Sequence, residues 1–143
     1  MKHLVVPTVN VFIISGTKLL LGRRLNKGWM DGYLCPTGGH VEVGETPAQA
    51  LISEIKEELG VTVKSDDLEF ACVAVRKTTE GETVAFEFII RDKDYTFINT
   101  EPEQCSELVW VDLYALPDDL IDDFRQIITH GIIGKKVYIE LGY

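Results

Sequence analysis

The segment from Thr46 to Leu59 constrains the fold most strongly, because it carries helix signals at both of its ends. Thr46 is a capping residue, Pro47 suits the first helical position, and Gln49 completes a Thr-x-x-Gln capping box. Gly60 stands where a helix would stop. Apolar residues recur at helical spacing between these ends, at Ala48, Leu51, Ile52, Ile55 and Leu59. The pattern predicts an amphipathic helix with one face packed on a core.

Three glutamates occupy a second face of this predicted helix. Glu54, Glu57 and Glu58 are i,i+3 and i,i+4 neighbours and fall within an arc of about 100°. Like charges so placed destabilise a helix by roughly 0.2 to 0.5 kcal/mol per pair. A divalent cation that binds carboxylate oxygens and phosphates together would offset that repulsion. Taken alone, such a cluster is more often a solvated charged surface, so the helix does not decide between the two.

A glycine pair precedes the helix at a short distance. Gly38 and Gly39 allow a tight loop whose backbone approaches a phosphate or a metal closely. A Gly-Gly pair by itself indicates only a turn. Its fixed spacing from the capped helix and the three glutamates favours a metal and phosphate site over a simple charged surface.

The remaining pattern predicts an α+β fold with a mixed sheet between helices. Pro7 in the first strand suggests an edge strand or an irregularity. Arg23 to Gly32 is predicted as a polar loop, and Pro117 to His130 as a second helix with Asp118 and Asp119 near its N-terminus. Strands are predicted at Leu4 to Ile14, Lys18 to Leu21, Tyr33 to Pro36, Leu68 to Val75, Thr83 to Arg91, Leu108 to Val111 and Val137 to Leu141.

Length and charge limit the classes of function. A chain of 143 residues is expected to form one domain, residues 1–143. Its formal charge of -9 opposes binding to polymeric nucleic acid, which requires many Lys and Arg contacts to phosphates. We expect no membrane span, because no run approaches the roughly 18 to 20 apolar residues that one needs. A cytoplasmic location is expected.

Residues 39–61, GHVEVGETPAQALISEIKEELGV, resemble the Nudix box, G-x5-E-x7-R-E-U-x-E-E-x-G-U with U aliphatic. One fixed position differs, because Ser53 stands where the family has arginine. That guanidinium orients the catalytic glutamates in the family, so we expect weaker activity or altered geometry rather than complete loss. Lys56, Arg23 and Arg24 are the candidates to replace it. The matching fixed positions are Gly39, Glu45, Glu54, Ile55, Glu57, Glu58, Gly60 and Val61.

The resemblance implies a Nudix-type α/β/α sandwich and a set of site residues. Glu54, Glu57 and Glu58 would bind Mg²⁺, with Mn²⁺ as a substitute and the Gly38 carbonyl as a further ligand. Glu45 would support the catalytic glutamates Glu54 and Glu57. The family often takes its general base from a glutamate outside the box, and the candidates here are Glu101, Glu103 and Glu107.

The implied reaction is hydrolysis of a diphosphate linkage in a small nucleotide. Its leading form converts a nucleoside triphosphate, standard or modified, into a monophosphate and pyrophosphate. The alternatives are cleavage of a nucleoside-diphosphate sugar or ADP-ribose, and a regulatory nucleotide-binding module with weak turnover, which Ser53 favours. A homodimer is expected only by analogy with other members of the family. Candidate substrate contacts are Arg23, Arg24, Lys27 and Gly39.

Overall fold

The computed structural model describes residues 1–91 and 94–143. These residues form one eight-stranded sheet and two principal helical segments. The helix α1 spans Pro47–Leu59, and α2 spans Asp122–Gln126 and continues as a π-helical segment, Ile127–Ile133. The strands are β1 (Val6–Ser15), β2 (Lys18–Arg24), β3 (Leu34–Cys35), β4 (Thr37–His40), β5 (Glu69–Thr78), β6 (Gly81–Arg91), β7 (Cys105–Asp112) and β8 (Tyr138–Leu141).

The sheet is mixed, as the sequence predicts. Its main path runs β3-β2-β1-β6-β5-β8, with β4 beside β1 and β7 beside β2. The pairs β1–β6 and β5–β8 are parallel, and the other pairs are antiparallel. Strand β1 therefore lies at the centre and contacts both β4, which carries the glycine pair, and β6.

Helices cover both faces of the sheet and give two hydrophobic cores, so the predicted α/β/α sandwich is confirmed. On one face, Leu51, Ile55 and Leu59 of α1 pack against alternate residues of β1, including Val9 and Val11. On the other face, the π-helical segment packs against the opposite residues of β1, β5 and β6. None of the helices in the described part of the chain is long and apolar enough to cross a membrane.

The first helix forms where the sequence predicts it, with the predicted ends. Gln49 N–H donates to Thr46 Oγ1 at 3.1 Å, and Thr46 N–H donates to Gln49 Oε1 at 2.9 Å, so both bonds of the capping box are present. Gly60 ends the helix with a left-handed φ of +73°. These local bonds fix the start of α1 directly after the glycine-rich segment.

Two predictions for the first strands are wrong. Strand β1 is central rather than an edge, and Pro7 is tolerated because its missing N–H falls where the pairing with β4 ends; its carbonyl accepts from Val41 N–H at 3.0 Å. Arg23 and Arg24 lie in β2 rather than in a loop, because the ladder between β2 and β7 continues to Arg24 opposite Cys105.

The second helix begins later than predicted and extends further. Residues 117–121 form a turn rather than the first helical turns: Leu120 makes a bridge to Leu34, and the Asp119 carbonyl accepts from Leu34 N–H at 2.8 Å. Asp118 and Asp119 therefore lie outside α2, and Asp122 and Asp123 occupy its first turn. Tertiary contacts with β3 outweigh the local helix preference of this segment.

Candidate active site

The glutamate face of α1 lies against the glycine pair of β4. Glu58 Oε2 accepts a hydrogen bond from Gly38 N–H at 3.2 Å. A Cβ built on Gly39 would lie 2.5 Å from Cδ of Glu54, so the carboxylate occupies the space that any side chain at this position would need. The structure thus brings together Glu54, Glu58, Gly38 and Gly39, which the sequence predicted as one site.

Burial and mutual repulsion perturb two of these carboxylates. The pKa of Glu54 rises from 4.5 to about 7, mainly because burial disfavours its charge and then because Glu57 and Glu101 are negative. The pKa of Glu58 also rises to about 7, mainly through burial, although Lys27 opposes the increase. A nearby cation would lower both pKa values and stabilise the charged forms.

The other two glutamates of the box occupy outer positions. Glu57 is exposed and acts on the cluster through its charge, which raises the pKa of Glu54. Glu45 lies in the loop before α1, and its Oε1 accepts from Glu42 N–H at 2.7 Å. That bond closes the loop between β4 and the helix, and the Glu45 charge also contributes to the raised pKa of Glu54.

Lys27 is the cation that reaches the glutamate cluster. Its Nζ lies 3.7 Å from Glu58 Oε1, and its side chain is 28% exposed. Ser53 is exposed. Within the described residues, its side chain makes no hydrogen bond to any of the glutamates of the cluster. Lys56 turns away and donates to Thr62 Oγ1 at 3.3 Å. Lys27, which approaches from the loop after β2, therefore supplies positive charge that Ser53 lacks.

The two arginines of β2 have different surroundings. Arg23 donates to Asp119 Oδ2 and to Gly32 O, each at 2.7 Å, and lies 3.4 Å from Glu107. Arg24 Nε donates to the Trp29 carbonyl at 2.7 Å, and its guanidinium lies 5.1 Å from the centroid of the Trp29 ring. Both arginines line the small cavity beside Glu58, but Arg23 joins β2 to the segment before α2, whereas Arg24 also lines a second cleft.

The three candidates for a general base differ in burial and in their neighbours. Glu101 is half-buried, lines the pocket that contains Glu58, and raises the pKa of both Glu54 and Glu58 through its charge. Its segment is held at the end of α1 by Thr100, whose Oγ1 donates to the Glu57 carbonyl at 2.5 Å. Glu103 is exposed, and Glu107 faces Arg23.

The donors at this site suit a hard divalent cation. Antiparallel partners exchange hydrogen bonds at alternate residues, and Val41 N–H donates to Pro7 O, so the Gly38 carbonyl points away from β1. Within residues 1–91 and 94–143, no three His, Cys, Asp or Glu side chains enclose a cation by themselves. Mg²⁺ normally takes one or two carboxylates, with waters and substrate phosphates as its other ligands. The repelling carboxylates and the carbonyl therefore fit such an ion.

Comparison with known proteins agrees with this arrangement. The family model of the NUDIX domain matches residues 4–130. The chain belongs to the Nudix family. Nudix hydrolases generally use divalent metal ions.

Individual relatives differ in what they act on. The chain is 29% identical over 131 residues to an RNA pyrophosphohydrolase of Gluconacetobacter diazotrophicus, with 77% of this chain and 78% of that protein matched. It is 32% identical to an isopentenyl-diphosphate Delta-isomerase of Dinoroseobacter shibae, where the match covers 76% of this chain and 64% of that protein. A MutT NUDIX hydrolase of Burkholderia pseudomallei has the same fold, with a TM-score of 0.79 at 22% identity over 89% of this chain and 98% of that one.

A larger cleft of this Nudix chain opens beside the glutamates, on the sheet face that α2 covers in part. Its volume is about 220 Å³, and it shares Gly38, Gly39, Lys27 and Glu58 with the glutamate site. Several of its polar residues were missed by sequence reasoning, namely Asn10, Arg76, Glu87 and Asp123. Glu87 carries one sequence signal, because it is the one acid within the apolar run of residues 84–90 in β6.

Proposed function

We propose that this chain is a Mg²⁺-dependent pyrophosphohydrolase of small nucleotides, and that its leading reaction converts a nucleoside triphosphate into a monophosphate and pyrophosphate. The observation that carries the proposal is the pair Glu54 and Glu58, whose pKa values lie near 7 because the carboxylates are partly buried together beside Gly38 and Gly39. A structural ion pair joins one acid to one base and does not require two acids in the same site. A divalent cation that also binds phosphate uses such a pair of carboxylates as ligands.

The roles of the glutamates follow from their positions. Glu54, Glu57, Glu58 and the Gly38 carbonyl would hold the ion, and Glu45 keeps the loop before α1 closed through its bond to Glu42 N–H. When bound, Mg²⁺ would neutralise charge on the phosphoryl oxygens and would lower the pKa of a water molecule that it holds.

Glu101 is the residue we assign as general base. A water oxygen forms a bond to one phosphorus, the anhydride bond to the other phosphate breaks, and the proton from water passes to Glu101. Half-burial at the end of α1 keeps this carboxylate beside the cluster, whereas Glu103 is exposed and Glu107 is engaged by Arg23.

Basic side chains at the edge of the site bind the phosphates. Lys27 and Arg24 line both the pocket with Glu58 and the larger cleft, so a ligand that spans the two passes between them. Arg23 is less suited to bind phosphate than the sequence indicated, because its N–H groups already donate to Asp119 and to the Gly32 carbonyl. Gly39 contributes through the space that it leaves for Glu54.

Hydrolysis of a nucleoside diphosphate joined to a sugar or to another group is the alternative activity, and the large cleft favours it by leaving room for a second group. A weakly active regulatory module is the other alternative, and exposed Ser53 favours it. Lys27 argues against loss of turnover, because it places a cation beside Glu58.

A panel of nucleotides with Mg²⁺ tests the proposal. Wild-type protein is incubated with nucleoside triphosphates, nucleoside-diphosphate sugars and ADP-ribose, and the products are separated by chromatography. Pyrophosphate from a triphosphate supports the leading reaction, whereas a monophosphate and a sugar phosphate support the alternative. Glu57→Gln should lower the rate by orders of magnitude, and Glu69→Gln, on the exposed start of β5, is the matched control. Tight binding without turnover at any Mg²⁺ or Mn²⁺ concentration would contradict an enzymatic role.

A further inference from the structure

The cleft beside the glutamates has a floor of small side chains from the sheet. Thr8, Ala85 and Ala74 lie side by side on β1, β6 and β5, and all three line the cleft. Their size leaves space over the sheet, and Phe124 and Trp29 border that space. A flat apolar surface with aromatic borders suits a planar ring.

Glu87 is the unusual residue of this cleft. Its side chain is 0% exposed, and Asn10 Nδ2 donates to its Oε1 at 3.0 Å. Among the residues that the structure describes, none donates to Glu87 Oε2. A buried acceptor without a donor is costly, so a carboxylate oxygen left in this state beside a large cleft indicates that a ligand supplies the donor.

The sheet register places Glu87 at a suitable distance from the phosphate site. Gly38, Asn10 and Glu87 are direct neighbours across β4, β1 and β6. Two strand spacings separate Gly38 from Glu87, which is roughly 10 Å. A ligand that lies by Gly38 and Glu58 and extends about 10 Å along the cleft therefore reaches Glu87.

A second buried polar atom marks the opposite part of the cleft. Arg76 Nη1 donates to Asp123 Oδ2 at 3.0 Å, whereas Arg76 Nε has no acceptor among the described residues. The Arg76 guanidinium also lies 5.4 Å from the centroid of the Trp29 ring. The cleft thus offers a ligand both an acceptor and a donor, at separate places along the sheet.

We propose that Glu87, oriented by Asn10, recognises the edge of a heterocycle that presents two adjacent N–H donors, which is the pattern of guanine. The inference rests on the proposed function, because it names the base of the nucleotide whose diphosphate is cleaved. A carboxylate accepts hydrogen bonds only, and the ring N–H and exocyclic amine of guanine are adjacent donors that match it.

Other bases fit this carboxylate less well. Adenine and cytosine place a ring nitrogen acceptor next to their amine, so one lone pair would face the carboxylate. Uracil and thymine present one N–H between two carbonyl oxygens, which the carboxylate repels. Loss of one hydrogen bond to a charged buried group typically lowers affinity by about tenfold or more.

Calorimetric titration with nucleoside monophosphates in EDTA at pH 8, where Glu87 is ionised, tests the inference without any need for turnover. Wild-type protein should bind GMP about tenfold more tightly than IMP, which lacks the exocyclic amine, and should bind AMP more weakly still. Glu87→Gln should reverse the order of GMP and AMP, because an amide pairs with the donor and acceptor of adenine. Glu80→Gln, in the exposed turn between β5 and β6, should keep the wild-type order.

The outcomes separate this inference from the proposed function. Equal affinities of wild-type protein for GMP, IMP and AMP, or an unchanged order in Glu87→Gln, would overturn the role of Glu87 and leave an ordered water as the partner of Oε2. Hydrolysis of diphosphates combined with that result would leave the proposed function intact. A preference for GMP without hydrolysis of any diphosphate would support the inference and contradict the proposed function.

Discussion

Lys27 Nζ lies 3.7 Å from Glu58 Oε1, although the two residues belong to a loop and to a helix that are far apart in the sequence. The pair is partly shielded from solvent, with 28% of the lysine and 20% of the glutamate side chain exposed. Lys27 lowers the pKa of both Glu58 and Glu54, against the larger effect of burial. It therefore favours the charged glutamates that a metal requires, a task that arginine performs from the helix in the Nudix box.

Lys27→Gln should lower kcat/KM at pH 7 by about fivefold, which corresponds to about 1 kcal/mol for a partly exposed ion pair. The loss should shrink at higher pH, because the glutamates are then ionised without help. Lys56→Gln is the matched control, since Lys56 is exposed and bonds to Thr62 rather than to a glutamate. Equal effects of the two substitutions across the pH range would contradict a role for Lys27 at the cluster.

The raised pKa values of Glu54 and Glu58 predict a pH-dependent affinity for Mg²⁺. Both pKa values lie near 7, above the ordinary 4.5, so the carboxylates are protonated below that pH and ionised above it. Because the ion binds the ionised form, affinity should fall as the pH decreases from 8 to 6, by about tenfold over that range for each proton that must leave. Calorimetric titration of Mg²⁺ into the free protein measures this directly.

Glu54→Gln supplies the control for that profile, because it removes one titrating group and one source of repulsion. Its Mg²⁺ affinity should be lower at pH 8 and should depend less steeply on pH than that of the wild type. An affinity of the wild-type protein that stays constant between pH 6 and pH 8 would show that these carboxylates do not bind the ion.

Glu101→Gln should lower kcat by about 10²- to 10³-fold and leave KM nearly unchanged, because general base catalysis acts on the chemical step. Glu103→Gln is the matched control, two residues away on the exposed part of the same segment. If Glu103→Gln showed the greater loss, the assignment of the base to Glu101 would be wrong.

The sequence predicts those parts of the structure that depend on local bonds. The helix α1 was predicted with its ends, because Thr46, Gln49 and Gly60 act on the adjacent backbone. The later helix was placed too early, because the contacts of Leu120 and Asp119 with Leu34 hold residues 117–121 outside it. No pattern in the segment reports contacts with a strand more than eighty residues earlier.

The candidate site was likewise predicted only where its features are local in the sequence. The spacing of the glutamates on α1 and their distance from Gly39 are local and were predicted. Lys27 was considered only for phosphate binding, because its approach to Glu58 depends on a loop in which Asn26 and Met30 adopt positive φ values. The pairing of Asn10 with Glu87 depends on the parallel register of β1 and β6, which joins residues 77 positions apart.

Gly39→Ala should reduce activity far more than it reduces stability. Its Cβ would meet Glu54 at 2.5 Å, so the carboxylate must move away from β4 while the core beneath stays intact. We expect a loss of about 10²-fold in kcat/KM, with an unfolding free energy lower by about 1 kcal/mol. Gly16→Ala, in the turn after β1 with a φ of +60°, should cost similar stability without loss of activity. Full activity of Gly39→Ala would contradict the placement of Glu54.

Glu87 should make the stability of the protein decrease as the pH rises. Burial raises its pKa from 4.5 to about 7, so its contribution is fully present below pH 4.5 and is lost as the pH rises through 7. The difference between these two pKa values corresponds to about 3 kcal/mol. Glu87→Gln has no charge to bury, so it should gain about that much stability over the wild type between pH 5 and pH 8, whereas Glu80→Gln should gain none. Urea denaturation at a series of pH values measures the gain. If the unfolding free energies of wild type and Glu87→Gln changed in parallel with pH, Glu87 would keep its ordinary pKa and have a polar partner.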